Sequence, residues 1–245
     1  MSIEMHREDK ATVSAAENFE AIRRVAGVEG IDLVSSAPVT DALRETFHPS
    51  TKAVASGLRY AVVIGIRLSE PVLETVVTAP TWTYYHHYRT VNFALDQAAR
   101  KVASECMRRG ARAFPVPASQ ILDWERLKGH LSHREAGAVV GLGWQGRNNL
   151  LVNPEFGSQV RYTTILTDLE LPSYRPYSDE ELAGCGDCYD CIDVCPVGAI
   201  HDDPLDFELD RCTAQLRRFS KSERLNTMIC GLCIRACSGT AGRKK

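Results

Sequence analysis

CGDCYDCIDVCP, Cys185 to Pro196, decides how the last quarter of the chain is read, and CGLCIRAC, Cys230 to Cys237, is its counterpart. In the first stretch Cys185, Cys188 and Cys191 are spaced so tightly that three thiolates can converge on three corners of one metal–sulfur cube. The longer step to Cys195, followed by a proline that redirects the chain, sends the fourth thiolate away. The second stretch has C-x2-C-x3-C order, with Cys212 displaced upstream by a helical insertion, Thr213 to Asn226. Nine cysteines are many for a chain in a reducing compartment, where disulfides are rare. Cys106 stands alone and the other eight lie between Cys185 and Cys237, a crowding that points to metal.

The spacing C-x2-C-x2-C-x3-C-P is similar to the bacterial ferredoxin run, whose fourth cysteine ligates the other cluster of a pair. That logic implies two 4Fe–4S clusters. The first takes Cys185, Cys188, Cys191 and Cys237; the second takes Cys195, Cys212, Cys230 and Cys233. A pair of zinc knuckles is the competing reading, but zinc sites couple two C-x2-C units and have no use for the third cysteine or the proline. Two clusters relay single electrons without saying where they go. The residues ahead of them are expected to hold the acceptor.

Of 245 residues, 44% are hydrophobic and 24% charged, enough to bury a core and typical of a soluble globular protein. The longest apolar run, Tyr60 to Ile66, falls far short of the ~18 residues that span a bilayer. The start, MSIEMHREDK, has no apolar stretch of the kind a secretory signal needs. A cytoplasmic protein with no membrane partner is the expectation. The net charge of −2 conceals an asymmetry: eight acids and no Lys or Arg from Asp187 to Asp210, then nine Lys or Arg and one acid from Arg211 to Lys245. Solvated surface is the plain reading of both runs. The basic one also offsets the negative charge of thiolate-bound clusters. A chain built to grip nucleic acid is usually basic overall, and this one is not.

Ser14 and Glu17 form a capping-box pattern before a helix ending at Gly27. Ile31 to Val34 reads as a short strand closed by Ala37-Pro38. Tyr60 to Leu68 (YAVVIGIRL) reads as a strand in a sheet buried on both faces. Val91 to Arg109 is a helix with Val91, Leu95, Ala98, Val102 and Cys106 on one face, which makes Cys106 a core residue. Arg112 to Val116 and Arg161 to Thr167 are further strands, and Ser132 caps a helix ending at Gly141. Alternating elements predict a three-layer α/β domain over 1–175, with Leu171 to Pro176 linking it to a cysteine module over 176–245.

Gly141 to Leu171, GLGWQGRNNLLVNPEFGSQVRYTTILTDLEL, resembles the stretch joining corrinoid domain to ferredoxin module in the epoxyqueuosine reductases, cobalamin-dependent iron–sulfur relatives of the reductive dehalogenases. The likeness implies an α/β (α+β) architecture: a nitroreductase-like, corrinoid-binding three-layer domain, then a bacterial-ferredoxin-like module. It implies an oxidoreductase in which two 4Fe–4S clusters carry electrons from an external low-potential donor to cobalamin, whose cob(I) state attacks a substrate. Corrinoid contacts fall on Gly143, Trp144, Arg147, Asn148, Asn149 and Leu151, with Arg89 near them; a glycine-capped helix end with a core tryptophan is the plainer alternative for GLGW.

Two departures from the family pattern stand out. The proton-donating Asp that these reductases place ahead of the GLG has no counterpart in register, where Leu127 stands. Asp123 is the nearest, and His133 lies close. The cluster Tyr84-Tyr85-His86-His87-Tyr88-Arg89, ahead of the long helix, offers Tyr85 and His87 as further acids, or as rim packing. His130 and His133 could equally serve as a lower corrin ligand or be structural. The helical-repeat region with which many such enzymes hold tRNA does not follow, so a short paralogue acting on a small-molecule or nucleoside substrate is expected, with tRNA the other candidate. The second class of function is an electron-transfer or corrinoid-activating protein with no small-molecule substrate of its own; a third keeps the fold around a flavin or an empty pocket. No G-x-G-x-x-G follows a strand, so a nicotinamide site has no support.

Overall fold

The computed structural model describes residues 13–240. The MSIEMHREDK stretch and the basic residues Arg243 to Lys245 lie outside them. Helix α1 (Ala15–Val28) starts on the expected capping box, with Ser14 accepting from Glu17 N and Glu17 reaching back to the Ser14 amide. It turns Phe19, Ile22 and Ala26 inward; fully burying a side chain like Phe19 or Ile22 stabilises by roughly 1.5–3 kcal/mol. Strand β1 (Leu33–Pro38) follows two residues later than the sequence suggests. Short helices α2 (Asp41–Glu45) and α3 (Pro49–Val54) lead into β2 (Tyr60–Arg67), after which α4 (Glu70–Glu74) precedes the long α5 (Trp82–Arg108). Then come β3 (Ala113–Pro115), α6 (His133–Val139), the hairpin β4 (Trp144–Gln145) and β5 (Leu151–Val152), and β6 (Val160–Thr167). The cysteine-rich part carries α7 (Asp190–Asp193), α8 (Leu209–Ser222) and α9 (Leu232–Ala236).

The main sheet has the order β1-β2-β6-β3 and is antiparallel throughout. In register, Val62 faces Ile165 and Ala61 faces Leu166. Successive residues point to opposite faces, so Val62, Ile64 and Ile165 join one core with α1 and α5. Ala61, Val63 and Leu166 join a second core with Leu43 of α2 and Ala136 of α6. Helices therefore cover both faces in a mixed α/β layering, and the continuous apolar run of β2 follows from burial on both sides.

Helix α5 starts nine residues earlier than its apolar stripe suggests, on a Thr81 cap that accepts from Tyr84 N at 3.1 Å. Tyr84 and Tyr88 extend the stripe of Val91 and Leu95 by two turns. The aromatic cluster thus belongs to the helix itself rather than preceding it. The stretch expected as a linker runs along the outer edge of β1. Tyr174 N donates to Ser36 O at 2.8 Å, Ser36 Oγ donates to Pro172 O at 2.8 Å, and Leu171 is buried in the first core. Leu225, Ile229 and Leu232 from the cysteine-rich part enter that same core beside Tyr84.

Candidate functional site

Cys185 and Cys188 lie in a tight turn (Cys188 N to Cys185 O, 3.2 Å), and α7 carries Cys191. The chain reverses through Cys195 to Gly198, where Ala199 N donates to Cys195 Sγ at 3.3 Å. Cys212 comes from the first turns of α8, while Cys230, Cys233 and Cys237 flank or ride on α9. Gly231 opens that helix at φ +90°, and a Cβ there would lie 2.7 Å from the Tyr84 ring. Both conformation and space demand glycine.

The thiols fall into two sets. Burial, then the neighbours Cys237, Cys185 and Cys188, push the Cys191 thiol up to about 12. Burial, then Cys212 and Cys195, push Cys230 up to about 11. Cys233 is raised well above its ordinary value by burial, then by Cys230, Cys212, Cys191 and Cys195. The two sets abut where α7, carrying Cys191, packs on α9, carrying Cys233. All nine cysteines are free, Cys106 deep in the core. Among the described residues no three His, Cys, Asp or Glu converge as a single metal ion requires. Thiolates on one zinc stand ~3.8 Å apart from 2.3 Å bonds, whereas the corners of an iron–sulfur cube spread them wider.

A cavity of about 450 Å³ lies inside the first set, lined by Cys185, Cys188, Cys191 and Cys237 with Asn148 and Arg147. A second, of about 470 Å³, is lined by Cys195, Cys212, Cys230 and Cys233 with Tyr84 and Tyr88. It shares Leu127, Lys128, Arg134, Leu150, Arg161 and Ile234 with a third of about 660 Å³ beneath α6. The last two form one continuous trough between the second thiol set and the sheet.

Leu151 and Asn149 line the trough, and Asn148 lies between it and the first thiol set. Asn149 sits at φ +58°, its carbonyl and side chain both accepting from Arg134. Gly143, Trp144 and Arg147 turn the other way. A Cβ on Gly143 would meet Val152 O at 2.2 Å, so this glycine lets the β4–β5 hairpin close. Trp144 Nε1 donates to Cys185 Sγ at 3.3 Å, and Arg147 donates to Cys188 O and Gly186 O, each at 3.0 Å. Arg89 lies over the Tyr85 ring, and neither lines the trough. His87 Nε2 accepts from Ser69 N at 3.0 Å, also away from it.

His133 lines the trough, with Nε2 3.1 Å from Pro117 O and Nδ1 2.9 Å from Thr164 Oγ1. A carbonyl only accepts, so Nε2 carries the hydrogen and Nδ1 accepts from the threonine. Burial, with Arg161 and His130 adding to it, pushes His133 down to about 4, and it stays neutral. Asp123 accepts from the Glu125 and Arg126 amides at 3.0 and 2.9 Å, which hold its carboxyl below the usual range. It is a loop brace, bridging to Lys128, and an ionised one.

The sequence reading gives Tyr88 only as a member of the aromatic cluster and Arg161 only as the start of a strand, without pairing them. The Arg161 guanidinium lies 4.6 Å from the Tyr88 ring centre, and Tyr88 Oη is 2.8 Å from Ser119 Oγ. Burial pushes the phenol up, but Arg161 and these hydrogen bonds outweigh it and leave Tyr88 below its ordinary value. Two signals were available. Tyr84 and Tyr88 keep the i, i+4 spacing of the buried stripe, and Arg161 is the lone charge in its strand.

No family model matches the chain. Its curated homologues are epoxyqueuosine reductases, which are oxidoreductases. The protein of that name from Bacillus cereus is 40% identical over 72 residues, 29% of this chain and 18% of the relative. That from Escherichia coli is 28% identical over 174 residues, 71% of this chain and 38% of the relative. The chain thus spans well under half the length of these proteins. Among solved structures, a reductive dehalogenase described with a mechanism for B12-dependent dehalogenation matches 97% of this chain and 34% of its own at TM-score 0.72 and 20% identity. An epoxyqueuosine reductase bound to a modified tRNA stem loop matches 81% of this chain and 56% of its own at TM-score 0.53 and 18% identity. The fold is shared with both. Among the described residues no helix is long and apolar enough to cross a membrane.

Proposed function

We propose that the chain is the catalytic core of a corrinoid-dependent reductase of the epoxyqueuosine reductase type, with a nitroreductase-like domain over 1–175 and a ferredoxin-like module over 176–245. Two 4Fe–4S clusters sit on the thiol sets assigned above. The observation that carries this reading is the trough whose floor is the second thiol set and whose wall holds Tyr88, Arg161 and His133. A molecule bound there lies against the ligands of one cluster, and the two thiol sets abut where α7 packs on α9.

The donor set fits the clusters: eight free thiols, four lining each of the two cavities. The trough fits a large amphipathic ring, having apolar walls from Ile200, Leu216 and Ile234 and polar groups at Asn149, Arg134 and Arg161. Asn148, Asn149, Leu150 and Leu151 would hold cobalamin, with backbone and amide groups facing its rim. When bound, cobalamin supplies low-potential reducing chemistry that displaces a leaving group from a substrate.

The chain supplies the proton and the electrostatics. Tyr88 holds its proton on Oη, and Arg161 stabilises the phenolate left when that proton goes to a leaving group. Neutral His133 uses both ring nitrogens to fix Thr164 and the Pro117 turn, which shapes the wall without donating. Arg126 and Lys128 on the trough lining favour an anionic substrate, and tRNA is proposed on that ground and on the tRNA-bound relative, with a nucleoside or other small molecule the second candidate.

Anaerobic purification with iron and zinc analysis, followed by absorption spectra with and without added cobalamin, tests the reading. About eight irons per chain, no zinc and a perturbed cobalamin spectrum are expected. Zinc in place of iron, or cobalamin that leaves its spectrum unchanged, defeats it.

A further inference from the structure

The resemblance assigns Trp144 and Arg147 to the corrinoid, yet both are turned onto the first thiol set. The indole N–H of Trp144 is a donor only, and it is spent on Cys185 Sγ at 3.3 Å. Its position is held by the hairpin: Trp144 pairs with Val152, and Gly143 brings the two backbones closer than any other residue could. Arg147 grips the same loop from the side. Its guanidinium, 10% exposed, donates to Gly186 O and Cys188 O on either side of Asp187, pairs with Asp202 at 2.6 Å and lies 4.6 Å from the Tyr189 ring centre. A fixed cation and a fixed N–H therefore reach Cys185 and its loop from outside the cysteine-rich segment. In the second set, Cys195 takes its N–H from Ala199, four residues on.

A 4Fe–4S cluster accepts one electron without making or breaking a bond, and the added negative charge spreads onto its sulfurs. An N–H aimed at a ligand sulfur stabilises the reduced state more than the oxidised one and raises the reduction potential. We propose that Trp144, held in place by the Arg147 grip on residues 186–188, sets the potential of the cluster on Cys185, Cys188, Cys191 and Cys237. Trp144 is a positioning residue that lifts the potential of this cluster above the value it would have without the indole N–H, which makes it easier for an external one-electron donor to fill. The inference rests on the iron–sulfur reading above.

The test is an EPR-monitored redox titration of the anaerobically purified protein, wild type against Trp144→Phe, with dithionite as reductant. Phenylalanine keeps an aromatic ring and loses the N–H. One cluster midpoint is expected to move to more negative potential while the other stays and iron content is unchanged. Two unmoved midpoints at full iron content overturn the proposal. Should Trp144→Phe lose iron, the decisive measurement is pulsed EPR on a reduced Trp82→Phe/Trp124→Phe protein with 15N at the indole nitrogen. Only Trp144 then carries the label. A 15N coupling to the paramagnetic cluster supports the hydrogen bond; its absence in a protein holding about eight irons overturns it. A wild-type protein that holds no iron fails the cluster reading itself, and the inference falls with it.

Discussion

Replacing Gly231 by alanine probes the joint between the cysteine-rich part and α5. Two costs arise, and the structure separates them. A non-glycine residue at φ +90° loses roughly 1–2 kcal/mol to left-handed backbone strain. The added Cβ would also lie 2.7 Å from the Tyr84 ring, inside a packed core, and overpacking of this kind costs roughly 1–3 kcal/mol more. Gly30 is the control: its φ is +71°, and a Cβ there would meet nothing within 4 Å. Gly30→Ala should show the backbone cost alone. The difference in thermal midpoint between the two variants is expected to be roughly 2–12 °C, from about 2–4 °C per kcal/mol at this chain length. Because Gly231 lies between Cys230 and Cys233, Gly231→Ala should also release iron faster, and Gly30→Ala should not. Tyr84→Leu in the Gly231→Ala background should recover part of the loss, since contacting residues couple. If Gly231→Ala unfolds at the same midpoint as Gly30→Ala, the packing of Tyr84 on α9 is refuted.

Tyr88→Phe in the cobalamin-loaded protein should slow single-turnover reduction about 10²–10⁴-fold, the usual worth of a positioned acid, while leaving cobalamin binding intact. Arg161→Met should move the alkaline limb of the rate profile to higher pH, because Arg161 is what pulls the Tyr88 phenol down. A profile that does not move excludes Tyr88 as the donor. His133 titrates near 4 in the folded chain against about 6.5 unfolded, so between those values the unfolded chain binds more protons. Stability should therefore be complete above about pH 6.5 and fall by up to about 3 kcal/mol as pH drops toward 4. Denaturant titrations of wild type and His133→Gln across that window check this, and equal slopes would contradict it. Cys212→Ser should remove the signal of one cluster while Cys106→Ser, on the buried face of α5, leaves both; the reverse pattern would undo the ligand assignment.

Sequence reading located most of the scaffold because its signals are local. The Ser14 capping box, the β-branched run of β2 and the stripe on α5 each follow from the geometry of a few consecutive residues. Antiparallel pairing was not legible, since a strand buried on both faces reads alike whichever way its neighbours run. The start of α5 is not legible because Trp, Tyr, His and Thr are indifferent helix formers; the Thr81 cap and burial of Tyr84 draw them into the helix. Asp123 and His87 are chemically plausible acids in the sequence, but their partners, backbone amides in both cases, show only when the chain is folded.

Two cysteine runs at steps of three and four residues are enough to announce two sets of converging thiols, because so short a stretch of chain can bring its side chains together in few ways. Tertiary structure alone decided what surrounds them. Tyr88 meets Arg161 across 73 positions, Trp144 meets Cys185 across 41, and Gly231 receives the Tyr84 ring across 147. Such contacts depend on register, layer packing and the bend of one hairpin. They involve no periodicity, so the sequence carries the residues without any sign of which ones meet.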